Sequence, residues 1–418
     1  MIPLERAREI ALSLVAPLGT EVLPLPQARG RFLARPLQAT RPLPPFDSAA
    51  MDGWALRAEE TAGATRDRPA RLRVRAVSAA GAPAGPPLGP GEAVRIFTGA
   101  VVPAGADAVL RQEAGAEEGE ELRAFAAARV GEHVRRAGEE VAVGEVALAA
   151  PCPLDAYALG VAASLGLAEV EVARAPRVAV VTVGDELVPM GSSALPYQIH
   201  DSNGALLAAL AAELNAIPVL PVRGAAEASA VLHTHAPDED ARIRAVLEEA
   251  LEAADLVVTC GGASVGDRDR VKPVLRAMGG ELRVDGVLLK PGKPLGVAVA
   301  RGKPVVVLPG NPGAAAVGFD QVARPMLLRM QGVAEIRRRI PVRLDAPRKK
   351  QAGLEYYLGA QVELDGTWPP LARIRAQGAG QLVHAVGAHG WVILPRGRAE
   401  FTAGEEHPME LFAAPRWT

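Results

Sequence analysis

The residues best suited to chemistry lie between positions 257 and 313, where three short apolar runs each end in a loop rich in glycine and proline. The loops are Gly261-Gly262, Lys290-Pro291-Gly292-Lys293 and Pro309-Gly310-Asn311-Pro312-Gly313. Glycine lets a ligand approach the backbone closely, exposed backbone amides can bind an anion, and lysine adds positive charge. This combination predicts a binding site for an oxyanion.

Lysine is rare in this chain and is concentrated near these loops. The sequence contains six lysines against forty arginines, and three of the six are Lys272, Lys290 and Lys293. An ammonium group is a compact point charge that suits oxyanions. The alternative is that each is an ordinary solvated charge. The placement of Lys290 and Lys293 on either side of Pro291-Gly292 favours the binding role.

These loops need a framework that brings them together. From residue 176 to 330, short β-branched runs alternate with helical segments, which predicts a parallel sheet covered by helices. Strands are predicted at 178–183, 257–259, 288–289 and 305–308, and helices at 203–215, 237–254 and 311–330. Asn203 is predicted to cap the first of these helices. Ligands bind at the carboxyl ends of the strands in such sheets, so all three loops are expected on one rim.

The remainder of the chain is predicted to be mainly β-rich. Residues 3–16 and 151–168 have helical periodicity, whereas residues 70–150 contain short strand-like runs between glycine and proline turns, as in a small β domain. The arginines at 337–339 predict a linker, and the alternation in 341–418 predicts a small β-barrel or sandwich. Two polar segments stand out: 44–56, which holds Asp47, Ser48 and Asp52, and 95–113, which holds Thr98. Taken alone, both are also compatible with ordinary turns.

The composition limits the possible classes of protein. A chain of 418 residues with 49% hydrophobic content is long enough for several domains with sizeable cores. A net charge of −2 argues against nucleic acid as the main partner. The sequence has no long apolar run, so no membrane span is expected. Only Cys152 and Cys260 are present, which excludes a disulfide framework and favours a reducing cytoplasm.

Seven motifs occur in a fixed order along the chain. They are PPFDSAAMDGWA, FTGAVVPAGADAV, VTVGDELV, IHDSNGALLAALAAEL, CGGASVGDRD, LLKPGKPLG and LPGNPGAAAV. Together they closely resemble the molybdopterin molybdenumtransferase family, which includes MoeA and the E domain of gephyrin. Molybdopterin adenylyltransferases and competence-damage proteins share the GDEL and DSN elements and the α/β domain. They lack the segments that contain Asp52 and Thr98.

The resemblance implies a multidomain fold of α/β plus β type. A central three-layer α/β domain with a mostly parallel sheet, of the molybdopterin-binding type, would span 177–330. An elongated mixed domain used in dimerisation would comprise 1–45 and 140–176, a β-rich second domain 46–139, and a C-terminal β-barrel-like domain 335–418. The family forms homodimers in which the β-rich domain contributes to the partner's active site.

The resemblance also implies a cytoplasmic transferase of molybdenum cofactor biosynthesis. Such an enzyme takes adenylated molybdopterin, inserts molybdenum from molybdate and releases AMP, with the assistance of Mg²⁺. Further protein partners would be a molybdopterin adenylyltransferase and the molybdoenzymes that receive the cofactor. Neither nucleic acid nor a membrane is expected as a partner.

The family's functional residues carry over by motif. The catalytic acids would be Asp52, Glu186, Asp238 and Asp269. Asp52, Glu186 and Asp269 would also bind Mg²⁺, because carboxylates beside an anion need a cation between them. Asp185 suits a helix cap better than Glu186 does. The helix opening near Asn311 would add an oxyanion-binding N-terminus. The implied substrate-binding residues are Thr98, Gly261, Gly262, Ser264, Lys290, Lys293, Pro309, Gly310 and Asn311.

Some positions depart from the family pattern. Gly286 stands where many relatives have a lysine, and an insertion containing His233 and His235, predicted to be a solvated loop, precedes Asp238. Where the family usually has an arginine and a serine of the pterin cleft, the chain has Leu354 or Gly359, and Ala379. Two rival functions therefore stay open. One is adenylation of molybdopterin, which consumes ATP; the other is a non-catalytic molybdopterin-binding scaffold. The preference for molybdate or tungstate is also open.

Overall fold

The computed structural model describes residues 1–218, 234–262, 270–334, 337–376, 380 and 382–412. The chain divides into two compact units, one formed by Met1–Glu21 with Ala173–Thr418 and the other by Val22–Val172. The division into four domains stays a prediction. Within the described ranges, no helix is both long and apolar enough to cross a membrane.

The chain begins with helix α1 (Leu4–Ser13), which lies inside the predicted helical segment 3–16. Leu4, Ala7 and Ala11 recur at helical spacing and are buried in the core of the first unit. Pro3 precedes the helix and makes no side-chain cap. Burial of the apolar stripe is therefore what holds this short helix in place.

The unit Val22–Val172 is built mainly from short strands, as its glycine and proline turns predicted. The elements in chain order are β1 (Thr20–Pro24), β2 (Leu37–Gln38), β3 (Ser48–Ala49), β4 (Gly53–Leu56), β5 (Ala70–Ser78), β6 (Glu92–Ile96), β7 (Ala108–Arg111), β8 (Gly115–Glu118), β9 (Glu121–Ala124), β10 (Val134–Arg135), β11 (Val146–Leu148), α2 (Ala156–Ser164) and β12 (Glu169–Ala173). Six strands form one sheet in the order β7-β4-β6-β5-β9-β8, and Trp54, Leu56 and Leu110 pack in its core. Asp155 caps α2 by accepting a hydrogen bond from the Ala158 amide at 2.9 Å.

A mixed sheet covered by helices on both faces follows. The elements of this region are β13 (Arg177–Val183), β14 (Leu187–Val188), β15 (Ile199–His200), α3 (Ser202–Ala212), β16 (Ile217–Pro218), β17 (Thr234–Ala236), α4 (Asp240–Ala253), β18 (Leu256–Cys260), α5 (Val271–Ala277), β19 (Glu281–Asp285), β20 (Leu289–Lys290), β21 (Gly296–Ala300), β22 (Lys303–Leu308), α6 (Pro312–Gly318) and α7 (Arg324–Met330). The short strands β14 and β15 pair with each other and lie outside the mixed sheet. A π-helical segment, Phe319–Ala323, joins α6 to α7. The strand order in the mixed sheet is β16-β13-β18-β22-β21-β19, and β17 also pairs with β13.

The sheet is buried on both faces, which explains its continuous apolar strands. Along β13, Val178 and Val180 enter the core that contains α1, α3 and α6, whereas Ala179 and Val181 enter the core that contains α4 and α5. The pairs among β16, β17, β13, β18 and β22 are parallel, and β21 and β19 add an antiparallel edge. The prediction of a three-layer domain with a mostly parallel sheet is confirmed.

Two details of this domain differ from the sequence prediction. The residue that caps α3 is Asp201, which accepts a hydrogen bond from the Gly204 amide at 2.9 Å; Asn203 lies inside the helix. The segment 288–289 does not join the α/β sheet. It leads into β20, which pairs in parallel with the C-terminal barrel strand β25 (Glu355–Glu363). A two-residue strand carries too little pattern to indicate its partner.

The C-terminal part forms a closed barrel of five strands. The strands of this region are β23 (Arg339–Leu344), β24 (Arg348–Lys349), β25 (Glu355–Glu363), β26 (Leu371–Ala376), β27 (Gly390–Leu394), β28 (Glu400–Phe401) and β29 (Glu406–Leu411). The barrel order is β25-β26-β23-β29-β27, with β27 pairing back onto β25. Along β25, Tyr356, Leu358, Ala360 and Val362 alternate into the barrel core. The barrel alternative of the sequence prediction is confirmed.

The arginines at 337–339 are not a free linker, which corrects the sequence prediction. The Glu410 side chain is only 3% exposed and accepts hydrogen bonds from Arg337 at 2.8 Å and from Arg339 at 2.6 Å. Gln321, in the π-helical segment, donates to the same carboxylate at 3.0 Å. A carboxylate this deeply buried needs such partners, so these arginines tie the barrel to the α/β domain.

Candidate functional site

The parallel strands β13, β18 and β22 end in register, and this alignment sets the rim of the candidate site. Thr182 is paired with Cys260, and Cys260 with Leu308, so the turns that follow the three strands start side by side. Gly261 has φ = +91°, and a β-carbon there would lie 2.1 Å from the Val183 carbonyl oxygen. Only glycine fits at this position. The turn after β18 therefore packs directly against the end of β13.

The loop after β22 is held against the same rim. A β-carbon on Gly310 would lie 3.4 Å from the Gly261 Cα atom, so the two glycine loops touch. Asn203 donates from Nδ2 to the Gly310 carbonyl at 2.6 Å, and the Cys260 thiol donates to the Pro309 carbonyl at 3.3 Å. These inward bonds fix the backbone of the loop, while Gly310 and Asn311 stay exposed.

Helix α6 begins at Pro312, close to its predicted start. Asn311 is its N-cap but makes no side-chain hydrogen bond to the first helical amides. Proline suits this first position because its missing N–H would have no helical partner. The oxyanion-binding role of the helix start remains an expectation from the sequence.

The lysine loop approaches this helix. A β-carbon on Gly292 would lie 3.9 Å from the Ala314 carbonyl oxygen in the first turn of α6. Lys290 and Lys293 are both exposed, and no carboxylate in the described part of the chain forms an ion pair with either. The structure thus brings the three predicted loops together, although the strand before the lysine loop belongs to the barrel. Lys290 and Lys293 are available to an anionic ligand.

Lys272 has a different role, which corrects the grouping of the three lysines. Its side chain is 6% exposed, and its Nζ atom lies 2.7 Å from Asp285 Oδ1. Arg276 binds the other oxygen of the same carboxylate at 3.0 Å. Hydrogen bonding from Lys272 is the main cause that lowers the pKa of Asp285. Lys272 therefore stabilises the contact between α5 and β19 and is already paired.

Asp185, which follows β13, and Asp238, which follows β17, are joined by hydrogen bonds at the edge of the sheet. Asp185 Oδ1 accepts a hydrogen bond from the Asp238 amide at 2.9 Å, and Asp238 Oδ2 accepts one from the Asp185 amide at 3.4 Å. Asp185 is thus not a helix cap, because the strand β14 follows it. Glu186 is exposed, and its carboxylate has no hydrogen-bond partner among the described residues. Glu186 and Asp238 lie at this edge of the sheet as predicted, and Ser264 and Asp269 lie outside the described residues.

The described end of the insertion before Asp238 forms a strand, where the sequence predicted a solvated loop. Thr234–Ala236 form β17, which pairs in parallel with β13, and His235 Nε2 lies 2.8 Å from the Gly184 carbonyl oxygen. His235 therefore contacts the turn that begins at Gly184, two residues before Glu186. His233 lies outside the described residues.

The described residues contain no group of three histidine, cysteine, aspartate or glutamate side chains arranged to hold a metal. Magnesium does not require such a group, because it is commonly bound by one or two carboxylates together with phosphate oxygens of the substrate. The exposed, unbonded carboxylate of Glu186 fits that mode of binding.

Asp52 and Thr98 form a pair in the unit Val22–Val172. Asp52 Oδ1 accepts hydrogen bonds from the Thr98 hydroxyl at 2.7 Å and from the Thr98 amide at 2.8 Å. These two bonds, of which that from the hydroxyl has the larger effect, hold the pKa of the partly exposed Asp52 below its usual range. Arg95 lies nearby with its guanidinium 4.7 Å from the centre of the Trp54 ring, and adds a smaller lowering effect. The arrangement keeps an ionised carboxylate fixed at the surface.

Asp47, the second acid of this segment, has a structural role. It accepts hydrogen bonds from Arg136 at 2.6 Å and from the Ala137 amide at 2.8 Å. Both bonds tie the segment to the loop that follows β10. Both carboxylate oxygens of Asp47 are therefore hydrogen-bonded, whereas Asp52 uses only its Oδ1 atom in the contact with Thr98.

Replacing Thr98 by valine should raise the pKa of Asp52. The hydroxyl is the largest contributor to the lowered pKa, so its loss leaves only the amide to stabilise the charged form. The carboxylate would then take up its proton at a higher pH as the solution is acidified. The side-chain ¹³C resonance of Asp52, assigned by its loss in Asp52→Asn, measures this titration. Thr98→Ser keeps the hydroxyl and should titrate like the parent; equal pKa values in the valine and serine variants would contradict the assignment.

The positions that depart from the family pattern have structural explanations of their own. Leu354 is 8% exposed and packs in the barrel core, and Gly359 lies within β25. Gly286 has φ = +86°, a conformation in which a lysine would be strained. Ala379 lies outside the described residues. Leu354 and Gly359 therefore supply no side-chain charge to the rim.

Sequence reasoning missed the contacts that position the loops. The sequence predicts Asn203 as a helix cap, and nothing in its local sequence indicates the hydrogen bond to the Gly310 carbonyl. Tyr356 and Lys350, which lie beside Lys290, carried no motif signal. The weak signal that was present is the pair of adjacent lysines, Lys349 and Lys350, in a chain that otherwise uses arginine.

Two family models match this chain. The one described as MoeA N-terminal region (domain I and II) matches residues 2–166, and the one described as probable molybdopterin binding domain matches residues 179–329. The second match includes the glycine loops, the lysine loop and the acids after β13. The first includes Asp52 and Thr98.

Relatives with similar sequences and structures agree with these matches. A molybdopterin molybdenumtransferase from Nostoc sp. is 32% identical over 396 residues, which cover 93% of this chain and 87% of that protein. Molybdopterin molybdenumtransferase 2 from Mycobacterium tuberculosis is 38% identical over 318 residues, covering 75% and 76%. The crystal structure of a molybdopterin biosynthesis MoeA protein from Pyrococcus horikoshii has a TM-score of 0.81 and 26% identity, covering 99% of this chain and 100% of that one.

Proposed function

Because the chain belongs to the molybdopterin molybdenumtransferase family, we propose that it inserts molybdenum from molybdate into adenylated molybdopterin and releases AMP. The observation that carries the proposal is that the two glycine loops touch each other, while the lysine loop lies near the start of the helix α6 that follows one of them. The two ammonium groups of the lysine loop have no carboxylate partner among the described residues. That surface suits a substrate with several negative charges. The reaction belongs to molybdenum cofactor biosynthesis, and we place it in the cytoplasm because both cysteines are free.

The chemistry of the two substrates matches this surface. Adenylated molybdopterin carries a pyrophosphate, and molybdate is a dianion. Lys290 and Lys293 would bind these oxyanions, and the backbone at Gly261, Gly262 and Gly310 allows close approach. Pro309 and Asn311 shape the same edge. Ser264 and Thr98 are assigned to substrate contact on the motif alone.

Breaking the phosphoanhydride requires a positioned water molecule and neutralised oxygens. Glu186 and Asp238 lie on the rim and would orient the water, and Asp269 and Asp52 are assigned to the same task by their motifs. Magnesium would be held by Glu186, Asp269 and Asp52 together with substrate oxygens, and would supply charge neutralisation.

The direct test is a reaction of the purified full chain with adenylated molybdopterin, molybdate and Mg²⁺, followed by quantification of AMP. AMP release that depends on molybdate is the expected result. Consumption of ATP with unadenylated molybdopterin would instead indicate an adenylyltransferase. Tight pterin binding without AMP release would indicate a non-catalytic scaffold.

We further propose that the protein is a homodimer with a composite site. Asp52 lies in one compact unit and the glycine and lysine loops lie in the other, and the family resemblance brings them together across a subunit interface. Asp52→Asn and Asp269→Asn should therefore complement each other. A mixed dimer would hold one site with both changes and one site with neither.

After subunit exchange between these two variants, AMP release should recover to about a quarter of the parent rate. Random pairing makes about half of the dimers mixed, and each mixed dimer has one intact site of two. Native mass spectrometry confirms that exchange has occurred. If no activity returns in exchanged samples, the site is built within one chain and the composite arrangement is wrong.

A further inference from the structure

The lysine loop lies against the mouth of the C-terminal barrel. Lys290 is paired with Tyr356 across the parallel strands β20 and β25, which places the two side chains on the same side of the pairing. Tyr356 is the first inward-facing residue of β25 that belongs to the barrel core. The Lys290 Nζ atom lies 5.2 Å from the centre of the Tyr356 ring, within the range of a cation–π contact.

A second lysine contacts the same ring. The Lys350 Nζ atom lies 5.0 Å from the centre of the Tyr356 ring and 5.9 Å from that of Phe401. It also donates a hydrogen bond to the Leu354 carbonyl at 2.7 Å, which fixes its position. Lys350 is half-buried, and burial is the main cause that lowers its pKa. This lysine is therefore held in place, unlike an ordinary surface lysine.

Neither ammonium group has an ion-pair partner among the described residues. The neighbouring cations do have one: Lys349 pairs with Glu400 at 2.9 Å, and Arg398 pairs with Glu405. Two cations that share one ring repel each other unless an anion lies between or beside them. Glu355 lies close enough to Lys350 to act on its charge, but burial raises the pKa of Glu355 and so disfavours its negative form. Within the described residues, Lys290 and Lys350 thus form a positively charged edge without an ion pair.

We propose that Lys350 and Lys290 together bind one phosphate-type oxyanion at the barrel mouth, with the Tyr356 ring as the shared support. Inorganic pyrophosphate represents the chemical class of the ligand. The inference rests on the proposed function only for the natural ligand, which would be the pyrophosphate of adenylated molybdopterin. It gives the barrel a charged contact with substrate, in a region where Leu354 and Gly359 provide none.

The geometry explains why lysine suits both positions. An ammonium group has three donors, and Lys350 uses two of them, for the Leu354 carbonyl at 2.7 Å and the Gln351 carbonyl at 3.5 Å, which leaves one for a ligand oxygen. Lys290 extends from the rim that also holds Gly292 and Lys293. An oxyanion at this point would therefore contact both the α/β domain and the barrel.

The test is calorimetric titration of the full chain with inorganic pyrophosphate at low salt. Lys350→Gln and Lys290→Gln should each weaken binding about tenfold or more, the effect of one charge-assisted hydrogen bond. The loss should shrink as salt is added, because exposed charges are screened. Lys349→Gln is the matched control, since that neighbouring lysine is already paired, and it should bind pyrophosphate like the parent.

Lys350→Arg separates a charge contact from a purely structural role. It keeps a positive donor at the same position and should bind pyrophosphate within about threefold of the parent if charge is what matters. The proposal is overturned if Lys350→Gln binds as the parent does, if the arginine variant is as weak as the glutamine variant, or if the parent shows no saturable binding. A chain that binds pyrophosphate through both lysines but releases no AMP would overturn the proposed function alone.

Discussion

Replacing Asp52 by asparagine should lower the rate of AMP release about a hundredfold, the range expected for a lost electrostatic or metal-assisted contribution. Asparagine has the same size and can still accept the two hydrogen bonds from Thr98, so the local structure should persist. Only the negative charge is lost. Single-turnover AMP release with molybdate present measures the effect, and circular dichroism with thermal unfolding verifies the fold.

Asp47→Asn is the matched control, because Asp47 lies in the same segment and is engaged by Arg136 and the Ala137 amide. This variant should lose some stability and keep its rate. If Asp52→Asn turns over normally while folded, Asp52 has no part in the reaction. If both variants lose activity equally, the effect comes from the segment as a whole and not from the Asp52 carboxylate.

Replacing Glu410 by glutamine should destabilise the protein by about 3 kcal/mol, because removing one partner of a buried ionic cluster leaves the others unpaired. Arg337 and Arg339 would lose their shared carboxylate, and Arg337 is itself mostly buried. Burial alone would raise the pKa of Glu410, but Arg337, Gln321 and Arg339 more than offset it and hold the pKa below its usual value. The contribution of this carboxylate to stability is therefore present near neutral pH and is lost as acid protonates it.

Hydrogen exchange in β23 and β29 measures this change locally, which avoids assuming that the whole chain unfolds in one step. Glu400→Gln is the control within the barrel, because its partner Lys349 is 83% exposed and such surface pairs contribute little. Equal protection in the Glu410 and Glu400 variants would show that the buried cluster is no more important than a surface pair.

The sequence predicted the α/β domain well because its two signals, the apolar strand runs and the turn residues that follow them, are both local. Apolar runs such as Arg177–Val183 are long enough to identify buried strands, and each is followed closely by a glycine turn or an acid. The barrel was also predictable from alternation, as Tyr356, Leu358 and Ala360 show. In each case the pattern that marks the element is contained within the element itself.

Most of the errors concern partners that are distant in sequence; the cap of α3, which is Asp201 and not Asn203, is a local exception. Lys272 and Lys290 are similar in their local sequence, yet one is buried against Asp285 and the other is exposed at the rim. The arginines near residue 337 lie in a basic run, and only the fold brings Glu410 to them. The partner of β20 could not be predicted because a two-residue strand has no periodicity, and its register is set by the barrel.

The pairing of β20 with β25 has a consequence for the order of events during protein synthesis. Leu289 and Lys290 leave the ribosome well before Glu355 and Tyr356, with which they pair. Every strand of the α/β sheet can be in place while this pairing is still missing. The lysine loop can therefore reach its final position only after the barrel strand has been translated. A nascent chain that ends before residue 355 contains every strand of the α/β sheet but lacks the strand that pairs with its lysine loop.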